Sequence, residues 1–237
     1  MTLMAIDTST SWGSLALYDG TTVLAEETWH LQRRHDDALF GAVERLLALT
    51  GLTVRDVDRV AVAIGPGSFT GVRIAIAAAQ GIARGSGAAT CGVETLDVIA
   101  HPWSGCGRRV CATLPAGRGE LYAAIYRRTG GRWSRTSAIL VRSAAALARE
   151  LAAGALFAGE LDDASRATLE AGLGERAAFV PRSAVPRRAG HLAEIGWQRL
   201  EAGAGSPAEA LEPVYVRPPS IRGPKGELVG DMAKVVS

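Results

Sequence analysis

Apolar and polar positions change period several times along the chain, and each change marks an element. Residues 3–8 form a short apolar run, residues 14–19 alternate, and Asp19-Gly20 is a hairpin turn leading into residues 22–29. Three consecutive strands are predicted there. Leu39, Val43, Leu46 and Leu47 then recur at helical spacing, with Asp36 near the N-cap and Gly51 just past the end, so an amphipathic helix is predicted over residues 36–50. Residues 60–64 read as a compact apolar strand, broken by Gly65-Pro66-Gly67. A helix of small residues over 70–84, a strand at 90–93 and a helix starting near Thr95 complete the first half.

The second half repeats that order. Strands are predicted at 110–114, 121–127 and 132–141, the last two joined by a Gly130-Gly131 turn, followed by a helix over 143–153. A strand at 155–158, a helix over 163–171 and a strand at 178–181 come next. Two successive three-strand meanders, each followed by crossovers that add parallel strands, imply two similar α/β lobes with mixed sheets flanked by helices. The duplication lies in element order and not in residue identity. Past Pro186 a helix over 191–202 and the segment Glu212-Pro213-Val214-Tyr215-Val216-Arg217 remain, and the last twenty residues form a Pro/Gly-rich tail.

Composition narrows the function classes. With 237 residues, 48% of them hydrophobic, the chain has material for one large core or two modest ones. Its 26 basic and 24 acidic residues leave a net charge of +2, well short of the dense positive surface that phosphate-backbone binding requires, so any RNA contact is expected to be shared with another subunit. Cys91, Cys106 and Cys111 lack metal-ligand spacing, and an odd count suits neither a disulfide framework nor an oxidising compartment. The start has no basic leader and no stretch offers about 18 unbroken apolar residues, so a soluble, cytoplasmic protein that does not enter membranes is expected.

Two stretches could carry chemistry. Asp7-Thr8-Ser9-Thr10 puts a carboxylate and hydroxyls at the end of a buried strand, a turn able to organise a cation and phosphate oxygens. The same residues could simply satisfy the turn's own amides. Gly65-Pro66-Gly67-Ser68-Phe69-Thr70-Gly71-Val72-Arg73 joins a strand to a helix N-terminus, with Ser68 or Thr70 as cap and free N–H groups that could face an anion. It lacks the lysine of a P-loop, and a tight crossover with closely packed helices accounts for the same glycines. No Ser-His-Asp, Cys-His or paired-carboxylate spacing is visible.

The segments at 5–10, 65–73 and 212–217, with Gly92-Val93-Glu94-Thr95-Leu96 and Gly119-Glu120-Leu121-Tyr122, resemble in order the TsaB family, also called YeaZ. The resemblance implies an actin-like (ASKHA) fold of two ribonuclease-H-like lobes, in agreement with the duplicated element order. It places residues 1–103 in a first lobe bearing the partner-binding helices, 104–213 in a second, smaller lobe whose helix 191–202 is free to pack back on the first, and 214–237 in a tail. It also implies a subunit required for threonylcarbamoyl transfer to the adenosine beside the anticodon of tRNAs reading codons that begin with A. Such a subunit pairs with the paralogue TsaD and helps to recruit the ATPase TsaE, and tRNA is met indirectly through the complex. ATP and metal are then expected on the partners, with no catalytic residue, metal or tightly bound cofactor in this chain.

The sequence departs from active relatives at two places. They carry a His-x-x-x-His pair on the first long helix, because imidazoles at i and i+4 share one face and one metal; here His35 has Leu31 and Leu39 at those positions. The first turn of the second lobe, Leu114-Pro115-Ala116-Gly117-Arg118-Gly119, offers no carboxylate, and Pro115 and Gly117 differ even from the Asp-Ala-Arg common in TsaB-like proteins. The partner-binding candidates are His35, Leu39, Val43 and Leu46 on the first helix and Val72, Arg73, Ile76 and Gln80 on the second. Asp7, Thr8, Ser9, Ser68 and Thr70 are candidates for a vestigial phosphate site. Without a partner the same surface is expected to form a homodimer. The competing reading is an actin-fold small-molecule kinase or ATPase built on Asp7-Thr8-Ser9-Thr10.

Overall fold

The first three strands, β1 (Leu3–Asp7), β2 (Trp12–Tyr18) and β3 (Val23–His30), form an antiparallel meander. The structure, a computed structural model, describes residues 1–30 and 35–216, with the backbone alone for 35–37. Helix α1 (His35–Thr50) leads to β4 (Arg59–Ala63), α2 (Phe69–Ser86) and β5 (Ala89–Val93), and β4 and β5 extend the sheet in parallel. Helix α3 (Thr95–Ala100) closes the first half. The second half contains β6 (Val110–Gly117), β7 (Glu120–Thr129), β8 (Arg132–Arg135), β9 (Leu140–Ser143), α4 (Ala144–Glu150), β10 (Ala155–Gly159), α5 (Asp163–Leu173), β11 (Ala177–Phe179) and α6 (Ala189–Glu201).

The first sheet runs β3-β2-β1-β4-β5 and the second β8-β7-β6-β10-β11, with β9 also on β7. The order is the same in both, so the duplication read from element order is present in the sheets. One expectation is corrected: the continuous strand predicted over 132–141 is two strands. β8 pairs with Tyr126–Thr129 and β9 with Glu120–Ala123. Between them the backbone of Ile125 is satisfied locally, by the Thr136 amide at 2.7 Å and the Ser137 hydroxyl at 3.0 Å, and ladder register is lost.

Strand β1 is buried on both faces, which its unbroken apolar run requires. Met4 and Ile6 pack with Leu39, Leu46, Val72 and Ile76 under α1 and α2. Leu3 and Ala5 face Leu192, Ala193 and Ile195 of α6 on the other side. Helix α6 thus comes from the second half of the chain yet covers the first sheet, and it comes so close that a Cβ on Gly196 would strike the Ala61 side chain. Helix α3, from the first half, returns the exchange, with Leu96 and Ile99 packed against Val110, Ala112 and Leu114 of β6. Phe157 anchors the opposite face of the second sheet with Leu147 of α4 and Leu169 of α5. Each fully buried aliphatic or aromatic side chain contributes about 1.5–3 kcal/mol. Among the described residues no helix is long and apolar enough to cross a membrane.

Candidate functional site

Strand β1 ends at the buried Asp7, and the turn after it is folded on itself. The Ser9 amide and hydroxyl both donate to Asp7 Oδ1, at 2.8 and 2.6 Å. Thr8 donates from Oγ1 to the Gly71 carbonyl at 2.7 Å, and the Ser68 amide donates to the Ser9 carbonyl at 2.6 Å. Asp7, Thr8 and Ser9 are all buried. The glycine loop lies directly on this turn: a Cβ on Gly67 would meet the Ser9 carbonyl oxygen, and one on Gly71 the Thr8 carbonyl oxygen. Ser68 caps α2, its hydroxyl accepting from the Gly71 amide at 3.2 Å, while Thr70 stays exposed. Asp7, Thr8, Ser9 and Ser68 thus bond to protein groups around one contact between the turn and the glycine loop.

Asp7's second oxygen is taken by a residue 180 positions away. Arg187, in the segment leading into α6, donates from Nε to Asp7 Oδ2 at 2.8 Å and from Nη1 to Glu160 Oε1 at 2.8 Å. Its Nη2 donates to Thr10 Oγ1 at 2.8 Å and to the Trp12 carbonyl at 3.2 Å. Glu160 follows β10 of the second sheet and also accepts from Thr10 Oγ1 at 2.7 Å. One guanidinium thus joins the carboxylate at the end of β1 to a carboxylate of the other sheet, with 3% of the Arg187 side chain and 1% of the Asp7 side chain exposed. Burial by itself would lower the Arg187 pKa, but Asp7 and Glu160 reverse this and the net shift is upward, so the arginine stays charged.

A divalent cation carrying a nucleotide phosphate would be held by carboxylate oxygens free to face it. Both Asp7 oxygens face protein donors, and the space beside them holds a fixed positive charge. In the second half of the chain, the 114–119 turn presents exposed Pro115 and, at φ 56, exposed Arg118. Sequence reasoning missed Glu160 and Arg187. Glu160 had a usable signal, a carboxylate directly after a buried apolar strand, the same signal that singled out Asp7. Arg187 had none, because it sits in a Pro-Arg-Arg connection.

The helical partner surface needs correction. Leu39, Val43, Leu46, Val72 and Ile76 are buried in the first lobe's own core, so they are not free to meet a partner. Their stripe is the inward face of α1 and α2. The outward face carries Phe40, 56% exposed, and Leu49, 78% exposed, on α1, and Ala77 and Gly81 on α2. Gln80 is half-buried and donates to the Ala208 carbonyl at 3.0 Å. Arg73 is at the surface, its guanidinium 3.8 Å from the Phe69 ring centroid and its Nε donating to the Tyr215 hydroxyl at 2.9 Å. The Val214 amide donates to the Ile64 carbonyl at 2.7 Å, so the 212–216 segment docks beside the glycine loop. The His35 side chain, Arg217 and the tail beyond it lie outside the described residues.

A family model described as TsaD, tRNA N6-adenosine threonylcarbamoyltransferase, matches residues 22–218. The tRNA threonylcarbamoyladenosine biosynthesis protein TsaB of Escherichia coli K12 is 39% identical over 148 residues, 59% of this chain and 62% of its own length. The chain belongs to this family, among its TsaB (YeaZ) members. The solved structure of YeaZ from Pseudomonas aeruginosa superposes with a TM-score of 0.73 at 28% identity, covering 91% of this chain and 99% of that one. A ROK hexokinase from Thermus thermophilus shares the fold alone, with a TM-score of 0.51 at 11% identity over 86% of this chain and 100% of its own. The fold is thus actin-like, as the motifs implied. The chain spans less than two thirds of the length of the curated relatives it matches.

Proposed function

We propose that this protein is a non-catalytic subunit in tRNA threonylcarbamoyladenosine biosynthesis. It pairs through the first lobe with a TsaD-like transferase and helps to recruit a TsaE-like ATPase. ATP and the catalytic metal belong to those partners, and tRNA is met through the assembled complex. The observation that carries this reading is the Arg187 ion pair, which closes the Asp7 turn where a working relative would need an open carboxylate. Family membership supplies the pathway, since TsaB relatives are named for threonylcarbamoyladenosine biosynthesis.

The docking face in this proposal is the outward side of α1 and α2. Gly81 has nothing within 4 Å of where a Cβ would lie, so a large residue there leaves the fold intact while blocking close helix approach. Reconstitution tests the whole reading. Threonylcarbamoyl transfer by a TsaD-like partner with its ATPase is expected to fall to background when this chain is omitted, and by at least tenfold with Phe40→Asp or Gly81→Arg. Transfer independent of this chain would contradict the proposal. Turnover of ATP by the isolated chain, abolished by Asp7→Ala, would favour the kinase or ATPase reading instead.

A further inference from the structure

We propose that His101, His191 and Glu194 form a binding site for a divalent ion of the zinc class, separate from the Arg187 cluster and independent of the proposed function. The candidate ligand atoms, one from each side chain, all lie within 4.8 Å of one another. His101 Nε2 and Glu194 Oε2 are 2.8 Å apart, and the two imidazole centroids are 6.0 Å apart. Two ligands of a tetrahedral zinc, each at its usual bond length, are about 3.4 Å apart. The His101–Glu194 pair lies inside that value and the 4.8 Å limit outside it, so closing the shell calls for side-chain rotation within the cluster.

The elements that carry the ligands are well anchored. His191 and Glu194 stand at i and i+3 on α6 and so share one face of a helix packed against the first sheet. His101 begins the short 3-10 turn that extends α3, and Pro102 follows it. The nearby cation Arg188 is paired with Glu26, which also accepts from the Gly190 amide at 2.8 Å, so its charge is offset beside the cluster. Two imidazoles and one carboxylate suit zinc in charge and softness, and three protein ligands leave a fourth position for water. The trio stands between two cavities of ≈ 480 Å³ each, His191 lining one and His101 the other, so an ion has a route in from either side. An i, i+4 histidine search along the sequence misses this arrangement, because His101 and His191 are 90 positions apart and only α3 and α6 bring them together.

A bound ion would cross-link the end of α3 to α6, the two helices that the halves of the chain exchange. The test uses the full-length chain without a histidine tag, stripped with chelator and titrated with Zn²⁺ by calorimetry and with Co²⁺ by visible absorption. One equivalent per chain is expected, with a d–d spectrum for Co²⁺ and a higher Tm with Zn²⁺. His191→Ala and Glu194→Ala are each expected to weaken binding at least tenfold, and His30→Ala to leave it unchanged. Glu194→Gln keeps an acceptor for His101 and guards against misfolding: with wild-type circular dichroism it too must lose binding. Absence of binding by either ion, or binding that survives His191→Ala and Glu194→Gln, overturns the proposal.

Discussion

Arg187 shows what a single residue decides here. Its guanidinium meets two carboxylates, a hydroxyl and a carbonyl in a buried space, so truncating it strands the Asp7 charge. Removing one member of a buried pair costs about 3–5 kcal/mol. Arg187→Ala is therefore expected to lower unfolding free energy by about that amount in urea denaturation followed by circular dichroism. Arg187→Lys should recover little of it, since a point charge cannot reproduce a planar fork that reaches four acceptors. A loss below about 1 kcal/mol for Arg187→Ala would mean that the ion pair is not formed as described.

The cysteines supply a second test at this scale. Burial pushes the Cys111 thiol up to about 12 and raises Cys91 as well, whereas Cys106 is exposed. A thiol reagent at mildly alkaline pH should titrate one group in the folded chain and all three in denaturant. The raised Cys111 value also has a sign for stability. Between 9.0, where the thiol titrates when unfolded, and about 12, unfolding releases a proton. Stability from this group is therefore complete below that window and falls as pH rises through it. Cys111→Val should flatten the alkaline slope in pH-dependent denaturation.

Among the elements, the glycines separate into those that the packing requires and those that it does not. Gly196 lets α6 approach Ala61 of β4, and Gly67 and Gly71 let the loop lie on the Thr8-Ser9 turn. Gly196→Ala is expected to cost about 1–3 kcal/mol through overpacking. Gly81→Ala, in open space on α2, is expected to gain up to about 1 kcal/mol from helix propensity. Thermal denaturation of the two variants should move Tm in opposite directions. The strands of the first half were legible from alternation and apolar runs, since those patterns are set by neighbours along the chain. Two features at this scale were not. The break between β8 and β9 depends on Ser137 and Thr136 meeting Ile125 across the sheet, which no local period records. The apolar stripe of α1 and α2 was legible as a stripe, but periodicity cannot say whether a stripe faces its own core or another protein.

For the whole molecule, the two sheets are tied together by the exchange of α3 and α6 and by Arg187. Cutting the Arg187 tie should thus loosen the junction between the sheets: hydrogen exchange in Arg187→Ala is expected to speed up at 7–12 and 159–161 while the α4–α5 layer stays protected. Uniform acceleration would instead indicate that the pair supports global stability only.

The amino-acid sequence by itself determined the order of strands and helices apart from the β8–β9 break, the duplication of that order, the family motifs and the position of Asp7 at the end of a buried strand. All of these are local, set by side-chain period, turn residues and short runs. Only the tertiary structure decided that Arg187 and Glu160 close the Asp7 turn, that α3 and α6 trade sheets, and which face of α1 and α2 is outward. Those facts depend on residues 27 to 180 positions apart meeting in a low-dielectric space, and the meeting is governed by how two sheets face each other and not by any pattern along the chain.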